Sequence, residues 1–358
     1  MRKWRETVNW VRVGLLSTIT VSLAAADTPP ERAKLLNEQG LGESERGDYS
    51  AARAHLSEAL GIWRSLGPNF NPHIAIELIN LAEVACGEGN WGEGATLFEQ
   101  ALERSRSAFG PRHMTTITAM NRLANVSVVR GEFERAEALY REALAAGREL
   151  YPNDLQTAYT LAGLSYLHSR EGRQQEALAE AEEALSLTLQ AAGENSSEAG
   201  AAYANVAQIH RLAGNLDRAV PLLRKARAIL ERTLGPQHPR SASALSQEGL
   251  ILMYEGKLTE AEREMVHAVE LLSVQRASNV NLAVAEQNLG LLRLRQKKYT
   301  EADRLFSGAL ALEEQYAARP NAEMADTLRL LSEVREKERR FEEADSLKAR
   351  AATISSYR

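Results

Sequence analysis

Small and apolar residues recur along this 358-residue chain at spacings of three and four, with charged residues between them. That is the period of helices that bury one face. The run "HIAIELINLAEVA" (73–85) places Ile76, Ile79, Leu81 and Val84 in such a pattern, and β-branched stretches are scarce. A longer beat lies over the short one. The phrase Gly-x-(aromatic or Leu)-x-x-Ala returns as "GDYSAA" (47–52), "GNWGEG" (89–94), "GEFERA" (131–136), "GRQQEA" (172–177), "GNLDRA" (214–219), "GKLTEA" (256–261), "KKYTEA" (297–302) and "RRFEEA" (339–344), always 41 or 42 residues on. A fixed period of this length marks a repeat array, in which each unit is one supersecondary motif.

Two further positions keep the beat. Twelve residues before the end of each phrase stands a small residue: Gly40, Ala82, Ala124, Ser165, Ala207, Gly249, Gly290 and Ser332. Seven residues after it stands an alanine, from Ala59 and Ala101 to Ala309 and Ala351. Small residues let two helices approach closely, and larger partners such as Phe98, Tyr140, Leu223 and Phe306 fill the gaps. Each unit therefore reads as two antiparallel helices, with Gly supplying the left-handed backbone just past the first. Gln174 departs from the aromatic-or-Leu position, and Lys297 and Arg339 replace the turn glycine, so those units are expected to pack more loosely.

The segments "NLAEVACGEGNWGEGATLFEQALERSRSAFGPRH" (80–113) and "NVAQIHRLAGNLDRAVPLLRKARAILERTLGPQHP" (205–239) resemble the tetratricopeptide repeat, in its long variant of about 42 residues typical of kinesin light chains and many bacterial scaffolds. The resemblance implies an all-α, right-handed superhelical solenoid of about eight antiparallel helix pairs. The units expected are 31–72, 73–114, 115–154, 155–195, 196–238, 239–279, 280–321 and 322–358, after a lead-in at 27–30. Lys348, where inner units carry Phe98 or Tyr140, and the charged "DTLRLLSEVREKERR" (326–340) suit the last unit to be a polar cap. First helices are expected to line the concave side. With the small residue of each first helix as marker, groove residues fall one position later (Asn125, Tyr166, Gln208, Leu250, Leu291), four or five later (Arg170, Arg211, Met253, Tyr254, Leu294, Arg295) and three or six earlier (Asn121, Tyr159, Gln287). That mixture suits an extended peptide with acidic and apolar residues, held by a protein–protein interaction scaffold. The Lys and Asn clamp by which some relatives grip a C-terminal carboxylate is absent, since Asn37 and Leu41 stand at the corresponding sites. Other readings are an assembly subunit that self-associates through solenoid ends or convex face, and an enzyme with an unrecognised site.

Composition narrows these. Arg2, Lys3, Arg5 and Arg12 precede the apolar run "VGLLSTITVSLAA" (13–25) and the small residues of "AAAD" (24–27), the pattern of a signal peptide over 1–26, with cleavage expected after Ala26 and an uncleaved anchor as the alternative. The run is too short for a spanning helix of about 20 residues, and no second one follows, so no integral span is expected after signal removal. The expectation is export, to a periplasm or the medium. The whole chain carries a net charge of −5, and four of its basic residues fall in the first 26. The remainder is more acidic still, which argues against nucleic acid as a partner. Cys86 is the single cysteine, so no internal disulfide or multi-cysteine metal site can form.

"GEGNWG" (87–92) matches G-x-G-x-x-G, but a helical pattern precedes it where a dinucleotide loop needs a strand. Gly89 and Gly94 belong to the repeat, leaving Gly87 and Gly92 as incidental. His113 and His238 share a loop position after "GP", which suits a structural role. His168 and His210 align in adjacent first helices without the further ligands a metal requires. No G-x-S-x-G or H-E-x-x-H occurs. The sequence therefore predicts no enzyme, no cofactor and no metal site.

Overall fold

The computed structural model describes residues 28–274, 279–316, 320 and 322–355; the expected signal peptide, residues 1–26, lies outside them. Sixteen helices follow in order: α1 (Pro29–Glu45), α2 (Tyr49–Ser65), α3 (Asn71–Gly87), α4 (Trp91–Phe109), α5 (Met114–Val129), α6 (Phe133–Leu150), α7 (Leu155–Arg170), α8 (Gln174–Ala192), α9 (Ser197–Leu212), α10 (Leu216–Leu234), α11 (Pro239–Tyr254), α12 (Leu258–Val274), α13 (Asn279–Arg295), α14 (Tyr299–Tyr316), α15 (Ala322–Lys337) and α16 (Phe341–Ser355). A single 3₁₀ turn, Pro68–Phe70, joins α2 to α3. Odd-numbered helices are the first helices of eight repeats and even-numbered ones the second. Thr28 caps α1 through a capping box with Glu31, so residues 29–30, read as lead-in, form its first turn.

The closest packing is within each pair and the next closest is between successive pairs, so the array is an all-α solenoid of antiparallel helix pairs. First helices of neighbouring repeats also touch one another directly. Among the described residues, second helices do so to no comparable extent. The stack is therefore pinched along its first helices, which form the inner side of the curve.

Small residues fix that packing. Ala82, Ala124, Ser165, Ala207 and Ser332 are buried, as is every alanine of the series Ala59 to Ala351. Where the marker is Gly, a large side chain fills the space: a Cβ on Gly290 would lie 2.8 Å from the Phe306 ring, one on Gly249 2.6 Å from the Met265 chain, and one on Gly40 2.7 Å from Leu56. Lys348 in the last repeat is exposed and pairs with Glu336, leaving a polar outer face.

The turn after each first helix is left-handed. Gly89 has φ 84°, and the helix end closes with Asn90 N–H donating to Ala85 O at 2.8 Å. Lys297 (φ 60°) and Arg339 (φ 65°) adopt the same conformation, and their turns close equivalently, Lys298 N–H to Arg293 O and Arg340 N–H to Arg335 O. The looser packing expected of repeats seven and eight is not found: Phe306, Leu328 and Leu331 are fully buried. The cost lies in the backbone, about 1–2 kcal/mol for each left-handed non-glycine residue. At Gln174, the side-chain amide donates to Ser169 O at 3.3 Å.

The glycine-rich stretch of repeat two is spatially tight. A Cβ on Gly94 would sit 2.4 Å from Cys86 Sγ and 3.2 Å from Ala82 O. Gly87 is not incidental either, because a Cβ there would meet the Tyr49 ring at 2.5 Å; Gly92 faces only the Arg130 guanidinium, at 3.3 Å. Burial pushes the Cys86 thiol up to about 12, so it is an inert packing group.

Of the buried carboxyls among the described residues, Glu264 pairs with Arg227 and Arg263, whereas Glu77 and Glu313 have no salt bridge. Glu77 in α3 accepts from Trp63 Nε1 at 3.3 Å, and Glu313 in α14 accepts from Gln287 Nε2 (2.7 Å) and Thr327 Oγ1 (2.9 Å). Burial pushes Glu77 up to about 8 and Glu313 up to about 7. The second oxygen of each has no hydrogen-bond partner among the described residues.

Two predictions follow from this packing. Gly94→Ala should cost about 1–3 kcal/mol by overpacking, read as a lower denaturation midpoint, and Cys86→Ala in the same chain should restore most of it; no rescue would refute the assigned contact. In the unfolded chain Glu77 and Glu313 ionise near 4.5, so their folded, protonated forms contribute stability that is full below that pH and lost as pH rises through about 7 and 8. Denaturant titrations should show stability falling over that window, and Glu77→Gln with Glu313→Gln should flatten the fall.

Candidate functional site

The inner side is built from the first helices, and position along each helix decides what a side chain can do there. Residues three before the marker stitch repeats together. Asn121 is buried, accepts from Thr160 Oγ1 at 2.9 Å and donates to Gln156 O at 3.4 Å. Gln287 is half-buried and holds Glu313 and Thr327. Similar rungs join neighbouring first helices elsewhere: Asn80 Nδ2 to Asn37 Oδ1 (2.7 Å), Asn205 Nδ2 to Ser165 Oγ (3.0 Å) and Asn288 Nδ2 to Ser246 Oγ (3.0 Å).

Three of the fourteen expected groove residues are therefore corrected. Asn121, Leu250 and Met253 are buried and offer no surface to a ligand. Leu250 and Met253 lie in an apolar cluster with Leu289 and Leu292 of the next repeat, because the pinch of the first helices directs these positions into the neighbour. Leu291 and Leu294 are half-buried and also pack between repeats. Asn125 is exposed, with its Oδ1 accepting from the buried Tyr140 hydroxyl. Gln208 is half-buried and Tyr159 exposed.

The position five after the marker, at the end of each first helix, stays open in three consecutive repeats. Leu212, Tyr254 and Arg295 are all exposed there. Arg295 lies over the Tyr254 ring at 5.1 Å and donates through Nη1 to Met253 O at 3.1 Å. Next to Leu212, Arg211 is half-buried. Its Nε has no hydrogen-bond partner among the described residues, and burial lowers its proton affinity. Neither Arg211 nor Arg295 has an acidic partner among those residues, whereas the second-helix arginines Arg106, Arg135 and Arg148 are paired with Glu142, Glu99 and Glu183. One repeat earlier, Arg170 lies 5.9 Å from the Tyr166 ring and donates to its hydroxyl at 3.2 Å. Leu212 was missed in the sequence, although the five-residue offset that selected Tyr254 and Arg295 points to it.

The histidines act as structural groups. His113 and His238 cap α5 and α11, each Nδ1 accepting a backbone N–H (3.2 and 3.1 Å), as Asp154 and Ser196 do at α7 and α9. Burial lowers both histidines, which keeps Nδ1 an acceptor, and Arg240 adds to this at His238. His168 is buried with Nδ1 on Glu180 at 2.7 Å, and His210 is buried in the adjacent first helix. Among the described residues no group of three or more His, Cys, Asp or Glu is placed to hold a metal, and no helix is long and apolar enough to cross a membrane.

The tetratricopeptide repeat family model matches residues 74–146, 115–190 and 198–275, more than half of the chain. The human mitochondrial tetratricopeptide repeat protein 19 is 24% identical over 255 residues, covering 66% of this chain and 66% of that protein, just under two thirds of its length. Among solved structures, a Rap protein complexed with Competence and Sporulation Factor is similar over 92% of this chain and 99% of its own, with TM-score 0.63 and 14% identity, a likeness of fold. A kinesin light chain from Podospora anserina with nearly identical repeats is 19% identical, covering 57% of this chain and 97% of its own, with TM-score 0.47. With its period, helix pairs and family match in agreement, the chain belongs to the tetratricopeptide repeat family, whose solenoids are non-catalytic scaffolds for protein–protein interaction.

Proposed function

We propose that this solenoid holds an extended peptide segment, rich in acidic and apolar residues, along the inner ends of its first helices, and that it does so outside the cytoplasm. The observation that carries the reading is Arg211. A guanidinium has five N–H donors and no acceptor, and withdrawing it from water without a partner is unfavourable. A ligand carboxylate would offset that loss through a charge-assisted hydrogen bond. Arg295 stacked on Tyr254 supplies a second cation, while Leu212 and the Tyr254 face supply apolar contact. Arg and Tyr are the residue types that dominate binding energy at protein interfaces. The fold relative solved with Competence and Sporulation Factor is a solenoid with a bound partner. Export rests on the basic start, the apolar run at 13–25 and the "AAAD" junction.

Fluorescein-labelled peptides that alternate Asp or Glu with Leu should bind the wild-type chain, and Arg211→Glu with Arg295→Glu should weaken binding at least about tenfold, equivalent to 1.4 kcal/mol, with helicity by circular dichroism unchanged. Equal affinity for the double variant would refute the assignment. N-terminal sequencing of the full chain expressed in a Gram-negative bacterium should return Asp27 from the periplasmic fraction; an intact Met1 in the cytoplasm would refute export.

A further inference from the structure

The curve of the solenoid brings distant repeats into contact. Ala283 at the start of α13 and Ala309 in α14 are fully buried, and the side chains packed on them include Val280 and Leu312 from repeat seven but also Trp91 and Val129 from repeats two and three. Trp91 opens α4 and Val129 closes α5, so both lie at the turn end of their repeats. Val280 and Ala283 lie at the opposite end of repeat seven, where its first helix begins. One more approach follows the same line: Arg170, at the end of α7, lies close enough to Glu313 of α14 to favour its charged form.

Val129 and Arg170 occupy the position five after the marker, the same position as Leu212, Tyr254 and Arg295. The inner row is thus divided. In repeats three and four it faces the chain's own repeat seven, and in repeats five to seven it is open. We infer that repeat seven is an intramolecular latch, which closes the solenoid on itself and withholds the repeat-three and repeat-four part of the binding row from ligand. Among the described residues the latch joins apolar side chains of repeats two, three and seven, with Arg170 approaching Glu313, and it lies outside the helix pairing that builds each repeat. Trp91 also packs against the core of its own part of the array, while repeat four carries Gln174 at the equivalent place, so glutamine is a side chain the repeat accommodates there. The inhibitory part of the inference rests on the groove reading above; the latch does not.

Small-angle X-ray scattering of the full chain tests closure. Trp91→Gln and Val129→Glu should each raise the radius of gyration with helicity retained. Phe133→Gln, which removes the equivalent aromatic of repeat three but touches no residue of repeat seven in the Ala283–Ala309 cluster, should leave it unchanged. If Trp91→Gln loses helicity, Val129→Glu decides alone. An unchanged radius in a folded latch variant, or an equal rise in Phe133→Gln, overturns the latch. The labelled acidic peptides should bind the opened variants several-fold more tightly than wild type. A larger radius without tighter binding, where the wild type does bind, overturns the inhibitory role and leaves the closure standing; failure of the wild type to bind any probe counts against the groove reading alone.

Discussion

Where the second helix of a repeat crosses the first, a large side chain such as Phe306 or Met265 must lie against a residue with almost no side chain, here Gly290 or Gly249. That contact sets the distance between the two helices, and interiors packed to this density leave little slack. The position recurs every 41 or 42 residues, with Ala or Ser in place of Gly in the other repeats, so every pair is built to the same close approach. The pinch along the first helices and the curve of the stack are the accumulated result, and they bring repeat seven within reach of repeats two and three. A repeat array contacts mainly its nearest neighbours, so a geometric rule obeyed locally sets the course of a stack many repeats long, and a contact between distant repeats can then close it.

The pinch also divides the inner surface between two tasks. Side chains in mid-helix are drawn into the neighbouring repeat, where Asn–Asn and Asn–Ser rungs and the Leu250–Met253 cluster bind the array to itself. Toward the helix ends the surface opens more fully. Arg211, Tyr254 and Arg295 lie in that open strip, and Arg170 and Val129 continue it to where the chain meets itself. Ligand contact and self-contact therefore draw on one row of positions.

The architecture was almost wholly legible from the chain. A period that holds across eight units leaves one interpretation, and each small residue used to find it is buried as a close helix contact demands. Individual roles were less legible. Asn121, Leu250 and Met253 share helical offsets with exposed residues, and only the curvature of the stack decides which offsets turn inward to a neighbour. Gly87 fell outside the repeat pattern, yet it makes room for Tyr49 from the preceding unit, a contact between repeats that no single-repeat pattern contains. The meeting of Trp91 and Val129 with repeat seven was invisible for the same reason at longer range: it arises from summed small rotations, and no local signal encodes it.

Lys297 and Arg339 carry left-handed backbone that glycine carries everywhere else in the array. Both lie in the last two repeats, so the strain is concentrated at one end of a stack whose stability is otherwise spread unit by unit. Repeat seven, which closes the molecule, thus also carries one of the two strained turns. A clasp that carries strain in its own backbone holds with less than the full strength of its contacts, while the rest of the coil keeps its pitch.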